Sequence, residues 1–314
     1  MSTDKKNEEK HMVFKENVSM NDTKRHYDRL IAASKAEQIL GKSKIYVNVP
    51  ALKIINKLRP TKERNQYLIN SIDTGYIQTK YSSKDKITAR MFTTPGNLNL
   101  ITLSDEDILN CIVSKYGREG ILVELDFKQF EPTIMSKLIG YSFDGDIHTI
   151  VSKKLKMTRN DAKILNNAYF YGASEETINQ KFYVGGDIKD YLDMMEDFNN
   201  AKDKFLEPHL EMYEKNGYII NPYGRKVFPR EKRNIFNNMI QSTGSDILID
   251  TIIKLNQENL NVILHRFDSL FFDLKKLNIY LELEEIITIM TENNYNLEVS
   301  VLVGKNLNKL KKLN

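Results

Sequence analysis

The chain has 314 residues, a formal charge of +4, and 41% hydrophobic and 28% charged residues, which excludes a disordered or fibrous protein. The mild basic excess permits a nucleic-acid partner without arguing for one, so partners must be read from where the charges sit. One cysteine, Cys111, excludes an internal disulfide, and no apolar run reaches the roughly 18–20 residues of a membrane span.

Residues 1 to about 20 read as disordered. MSTDKKNEEKH is polar, with no apolar stretch behind it to act as a signal peptide, so a cytoplasmic location is expected. From about 22 to 70 the pattern is helical and amphipathic, with Leu30, Ile31, Ile39 and Leu40, then Leu52, Ile54, Ile55 and Leu58 ahead of Pro60. Residues 72–104 mix turn formers with short apolar pairs and predict short strands and loops. An apolar strand, Ile121 to Leu125, ends on Asp126. Thr158 predicts a helix start, its hydroxyl capping while Asp161 completes a capping box, and Gly172 predicts the end. A longer helix is expected from about Glu231 to Asn256. Val262 to Phe267 reaches Asp268 and is followed at once by Leu270 to Leu274, which predicts a tight hairpin with Asp268 at or beside its turn. A helix over 277–293 and a short strand over 297–303 complete the pattern. Strands separated by a helical stretch predict an α+β fold, a palm-like sheet interrupted by a helical subdomain.

Three constellations carry chemistry. Asp126 and Asp268 end apolar strands, and if those strands are neighbours their carboxylates share one sheet edge. Two Mg²⁺ ions about 3.5–4 Å apart need shared hard oxygen ligands of that kind for phosphoryl transfer. Arg159, Lys163, Asn167 and Tyr171 recur every four residues down one helix, a guanidinium and an ammonium one turn apart that suit a triphosphate. Arg233, Asn237, Gln241 and Ser245 repeat that spacing, with small Gly244 beside them, and suit hydrogen bonding in a minor groove. Each also has an ordinary explanation: a turn aspartate, a solvated face, an amphipathic helix.

Order and spacing change the weighing. The chain carries T-A-R at 88–90, P-G-N-L-N at 95–99, L-D-F-K-Q-F-E-P at 125–132 and D-I-H-T at 146–149. R-x3-K-x7-Y-G follows from Arg159 to Gly172, then G-R at 224–225, R-x3-N-x3-Q-x4-D from Arg233 to Asp246, and F-D-S at 267–269. In this order they resemble the core of the family A DNA polymerases, the bacterial polymerase I type, over about residues 50–314.

The resemblance implies a right-hand polymerase with an antiparallel-sheet palm, helical fingers and a reduced or absent thumb. Residues 1–87 would be a disordered start and a thumb remnant, 88–140 the first part of the palm, 141–216 the fingers, and 217–314 the rest of the palm. Asp126 and Asp268 would hold two Mg²⁺ ions. Gln129, His148, Arg159 and Lys163 would contact the incoming triphosphate, Lys163 also protonating the pyrophosphate. Glu131 and Tyr171 would wall off the sugar 2′ position, with Asn167 on the same nucleotide-binding helix. Arg90 and Gln241 would read the primer end, Arg233 and Asn237 would brace the template, and Asn97, Asn99 and Arg225 would join the DNA contacts. The implied partners are primer–template DNA and deoxynucleoside triphosphates.

The chain also departs from that family's pattern. Asn167 stands where Phe or Tyr is usual, Phe267 replaces the His before the second aspartate, Ser269 replaces an acidic neighbour, and Ala89 and Pro132 are further substitutions. The short stretch before the palm motifs implies no 3′-to-5′ exonuclease and low processivity in this chain, with separate exonuclease or processivity proteins as partners, and a phage or mobile-element source. An RNA polymerase or primase on the same fold is the alternative, opposed by Glu131 with Tyr171. A non-catalytic nucleic-acid-binding subunit is another, opposed by both aspartates with Arg159 and Lys163.

Overall fold

In Gly120–Phe127 successive side chains point to opposite faces, and the computed structural model makes this strand the centre of a five-stranded antiparallel sheet. The structure describes residues 20–58, 71–84, 86–95, 97–181 and 188–313; the start of the chain, Pro60 and Gly96 lie outside them. Val299–Gly304 pairs along one side of the central strand and Ser269–Lys275 along the other, with Lys311–Lys312 and Val262–Arg266 at the edges. The edge strand Lys311–Lys312 had no counterpart in the sequence pattern.

The alternation splits the sheet between two cores. Val123, Leu125 and Phe127 enter the larger core with Leu270 and Phe272, while Leu122 and Phe271 enter the smaller one on the opposite face. Glu124 and Asp126 share the face of Leu122. Register sets Asp126 opposite Ser269 and Leu122 opposite Asp273, so these polar groups form a column on that face.

Helix Ile235–Gln257 is the spine of the larger core, buried on nearly every side, so its apolar residues do not keep to one stripe. It begins at Ile235 and not at Glu231, because Lys232–Asn234 form a 3₁₀ turn. Helix Met20–Lys42 lies along it and is pinned by charge. Asp246, fully buried, accepts from Arg29 Nε at 3.0 Å, Arg225 Nη2 at 2.6 Å and Asn221 Nδ2 at 2.8 Å. Arg29 also reaches Asp250 at 2.8 Å. The expected helical region after residue 22 is therefore two helices, Met20–Lys42 and Val49–Leu58, separated by the short strand Ile45–Tyr46.

The chain between the first sheet strand and the long helix includes Phe130–Ile139, Ile147–Lys154, Arg159–Phe170 and Glu196–Asn216. Aromatic rings hold this insertion together, with Phe198 lying 5.2 Å from Phe170 and 5.7 Å from Phe143. Gly217, at φ 75°, closes the last of these helices. The closing helix, Ile279–Thr291, falls inside the expected span. Among the described residues no helix is long and apolar enough to cross a membrane.

Candidate active site

Asp126 and Asp268 meet at one end of the sheet. Asp126 sits near the end of the central strand, and Asp268 occupies the turn between Val262–Arg266 and Ser269–Lys275, where Phe267 takes φ 54°. The Phe127 amide faces the Asp268 carbonyl at 3.5 Å, and the Ser269 hydroxyl donates to Asp126 Oδ1 at 2.6 Å. Both aspartates line one cavity of about 430 Å³. Burial pushes the Asp268 carboxyl up to about 6, the charge of Asp126 adds to this, and Lys163 opposes it. Two acids that repel across a cavity form a site suited to cations.

The donor set fits Mg²⁺, a hard ion that takes one or two carboxylates and keeps its other positions for water and substrate phosphate. No three or more His, Cys, Asp or Glu side chains converge on a ready-made metal site among the described residues. Asp126 and Asp268 are therefore the candidate protein ligands.

Helix Arg159–Phe170 supplies the positive wall. Its start is built as a capping box: the Asp161 amide donates to Thr158 Oγ1 at 3.1 Å, and that hydroxyl donates to Asp161 Oδ2 at 2.7 Å. Arg159, Lys163 and Asn167 all line the cavity. Tyr171 does not: it is the residue at which the helix ends, and the four-residue stripe drifts by about 40° per step, so three steps carry it off the face. Asp146 holds Arg159 Nε at 2.8 Å and also caps Ile147–Lys154 through the His148 amide at 3.3 Å. Arg159 and Thr149, by hydrogen bonding, keep the Asp146 carboxyl below its usual range against the opposing effect of its own burial.

His148 is buried and bound from behind. Tyr191 donates to Asn166 Oδ1 at 3.0 Å, which turns the Asn166 amide nitrogen toward His148 Nδ1 at 3.0 Å. Nδ1 is then the acceptor and Nε2–H the donor. Burial lowers the His148 pKa, Asp146 opposes this, and Arg159 and Lys163 reinforce it, so a neutral ring faces the cavity as a hydrogen-bond donor.

Gln129, Glu131, Arg90 and Gln241 also line the cavity, and Glu131 forms an ion pair with Arg90. The stacked rings of Phe127 and Phe130, 4.9 Å apart, form part of the wall, and Gly244 admits them closely: a Cβ there would lie 2.9 Å from Phe130 Cε1.

Other expected contacts lie elsewhere. Arg225 is buried against Asp246, its guanidinium engaged by that carboxylate and the Arg29 carbonyl, at the wall of the second concavity described below. Arg233 stands in the 3₁₀ turn, exposed and paired with Glu231. Asn237 is half-buried outside the cavity wall. Asn97 donates to Thr94 Oγ1 at 2.9 Å and Asn99 accepts from the Ile101 amide at 3.2 Å, so both shape their own loop.

Three residues with no role in the sequence reading emerge. Arg29 clamps the first helix, and nothing local to its sequence signals this. His265 is buried in the cavity wall with Nδ1 unpartnered, burial pushing its pKa down to about 4. Glu124 lies two residues before Asp126 on the same face, a position visible in the strand alternation. Burial holds its carboxyl above the usual range, the Ser269 hydroxyl within hydrogen-bonding reach pulls it back, and Asp126 adds repulsion.

A second concavity of about 820 Å³ adjoins the first at Ala89, between helix Met20–Lys42 and the hairpin Ile219–Val227. Lys84, Lys86, Lys226 and Arg230 line it, beside exposed Phe228.

A palm sheet with paired carboxylates, interrupted by a helical insertion, is the architecture of the right-hand polymerases. The model of DNA polymerase family A matches residues 9–309, and the chain belongs to that family. The DNA polymerase of Mycobacterium phage D29 is 23% identical over 190 residues, covering 54% of this chain and 31% of that protein. Among solved structures, the POL domain of Pol1 from M. smegmatis in complex with DNA primer-template and dNTP matches with a TM-score of 0.61 and 17% identity, over 91% of this chain and 65% of that one. At that identity the likeness is one of fold. The chain thus spans less than two thirds of either relative.

Proposed function

We propose that this chain is a template-directed DNA polymerase that adds deoxynucleotides to a primer 3′ end by two-metal phosphoryl transfer. The observation that carries it is the convergence of Asp126 and Asp268, from distant parts of the chain, on a cavity also lined by Arg159 and Lys163.

Asp126 and Asp268 would hold two Mg²⁺ ions, which would supply a more acidic primer hydroxyl and charge neutralisation on the phosphates. Arg159 gives the triphosphate a planar fork, His148 donates from Nε2–H, and Lys163 is the proton donor to the departing pyrophosphate. Asp146 engages only Nε of Arg159, so it orients the guanidinium while Nη1 and Nη2 stay available to the triphosphate. The basic concavity next to Ala89 suits the phosphates of primer–template DNA, which supply most nucleic-acid affinity.

Glu131 is the candidate sugar gate. Tyr171, the other half of the expected gate, stands outside the cavity wall, and this favours a second reading in which ribonucleotides enter, as in an RNA polymerase or primase. Primer extension on a defined template with deoxy- or ribonucleotides separates the two. The same assay on Asp126→Ala and Asp268→Ala, with Mg²⁺ withheld as control, tests the main reading; extension or binding identical to wild type in both variants leaves only a non-catalytic subunit. We further expect this chain to leave a 3′-mismatched primer intact in Mg²⁺ without nucleotides; removal of the terminal base overturns that.

A further inference from the structure

We infer that Glu124 is a positioning residue of the metal centre, acting on Asp126 through the hydroxyl of Ser269. The inference rests on the polymerase reading and deepens it.

Three observations converge. Glu124 and Asp126 are two residues apart on the central strand and so project from the same face of the sheet. Ser269 is the direct cross-strand partner of Asp126, and its hydroxyl donates to Asp126 Oδ1 at 2.6 Å while lying in reach of the Glu124 carboxylate. That hydroxyl carries one hydrogen between two acceptors, so its orientation decides which carboxylate it serves.

The charge of Arg266 acts favourably on Glu124 without forming an ion pair with it. The neighbouring Arg266 directs its guanidinium to the carbonyls of Ile101 and Leu103, at 3.2 and 2.6 Å, and Glu124 makes no ion pair among the described residues. A partly buried carboxylate behind two others makes the empty site more repulsive and the cation-filled site more favourable. It also gives Ser269 an acceptor when a cation claims Asp126 Oδ1, so the hydroxyl need not be stranded. Glu124 lies outside the cavity wall, so it acts through its neighbours and does not touch substrate. Position 269 is where the resemblance expects an acid. Glu124, diagonal to it on the same face, returns a third negative charge to the same end of the sheet.

The test measures cation affinity apart from turnover. Mn²⁺ is titrated into the full chain bound to primer–template, free Mn²⁺ being read by electron paramagnetic resonance, for wild type, Glu124→Gln, Glu124→Ser, the exchange Glu124→Ser with Ser269→Glu, and Asp268→Asn. Glu124→Gln keeps shape and removes charge. It is expected to weaken Mn²⁺ about tenfold, the scale on which groups behind metal ligands act. The exchange variant is expected to recover most of what Glu124→Ser alone loses, an outcome that a purely packing role does not produce. The inference is overturned if folded Glu124→Gln binds Mn²⁺ like wild type, or if the exchange binds no tighter than Glu124→Ser. If wild type shows no Mn²⁺ site that Asp268→Asn abolishes, the polymerase reading itself fails. A site that survives only the Glu124 changes removes this inference alone.

Discussion

The Glu131 carboxylate and the Arg90 guanidinium form an ion pair in the wall of the cavity that holds Asp126 and Asp268. The two come from separate segments, Glu131 from the first turn of Phe130–Ile139 and Arg90 from the loop before Phe92–Thr93. Burial lifts the Glu131 carboxyl above its usual range, and Arg90 opposes that lift. On the proposed reading, a primer end that draws Arg90 away would therefore change Glu131, the candidate sugar gate.

That relationship makes sugar choice sensitive to both residues. Replacing Glu131 by Ala removes the wall, and an unmatched 2′-hydroxyl no longer costs its share of about 1–3 kcal/mol. Incorporation of ribonucleotides relative to deoxynucleotides should rise at least about tenfold in single-nucleotide competition. An unchanged ratio takes Glu131 out of the gate.

The raised carboxyl of Asp268 has a pH signature in cation-free protein. Its pKa is pushed from 3.8 up to about 6, first by burial and then by Asp126. Between these values the folded state holds a proton that the unfolded chain has released. The associated stability is complete below pH ~4 and lost as pH rises through ~6, at a cost of up to about 3 kcal/mol. In EDTA at pH 8, Asp268→Asn should therefore melt above wild type, and at pH 4 the two should coincide. Equal melting at pH 8 would contradict a carboxyl raised by burial and by Asp126.

Local codes were legible in the sequence and long-range partners were not. The Thr158 cap and the Asp268 hairpin depend on neighbours within a few residues, and both stand where the pattern predicts them. The α+β class followed from strand alternation around a helical stretch. The polar spacing at Arg233 predicts the start of a helical stripe, whereas the residue stands in a 3₁₀ turn that the spacing does not distinguish from an α-helix. Tyr171 left the cavity through helical drift that a four-residue spacing hides. Arg225 and Arg29 are the hardest cases, since only the fold shows that one buried carboxylate, Asp246, engages both.

That shared carboxylate makes Arg225 a stability residue. Arg225→Ala leaves Asp246 buried with Arg29 and Asn221 as its remaining donors and should cost about 1.5–3 kcal/mol, the range for lost hydrogen bonds to a charged group. Chemical denaturation measures this directly. Arg230→Ala, an exposed position in the basic concavity, should melt like wild type and lose DNA affinity instead, most visibly at low salt and with a shallower salt dependence. If Arg225→Ala is as stable as wild type, the cluster does not hold the first helix in place.

Gly244 separates stability from activity at the site itself. A Cβ there meets Phe130 Cε1 at 2.9 Å and Ile134 Cδ1 at 3.4 Å. Alanine gains about 1 kcal/mol of helix propensity, and overpacking loses about 1–3 kcal/mol, so the net change in folding is a loss of at most about 2 kcal/mol. The ring that must yield is Phe130, stacked on Phe127, and Phe127 follows Asp126 in the strand. Displacement of that ring is passed to Phe127 and so to the strand position next to Asp126, the proposed metal ligand. Primer extension by Gly244→Ala should fall by about tenfold or more, since misplacement of about 1 Å is enough to cost that in a positioned site. Adding Phe130→Leu should relieve the clash and restore part of the rate. A Gly244→Ala protein that is fully active, or a double variant slower than the single one, would show that the Phe127–Phe130 stack does not position Asp126.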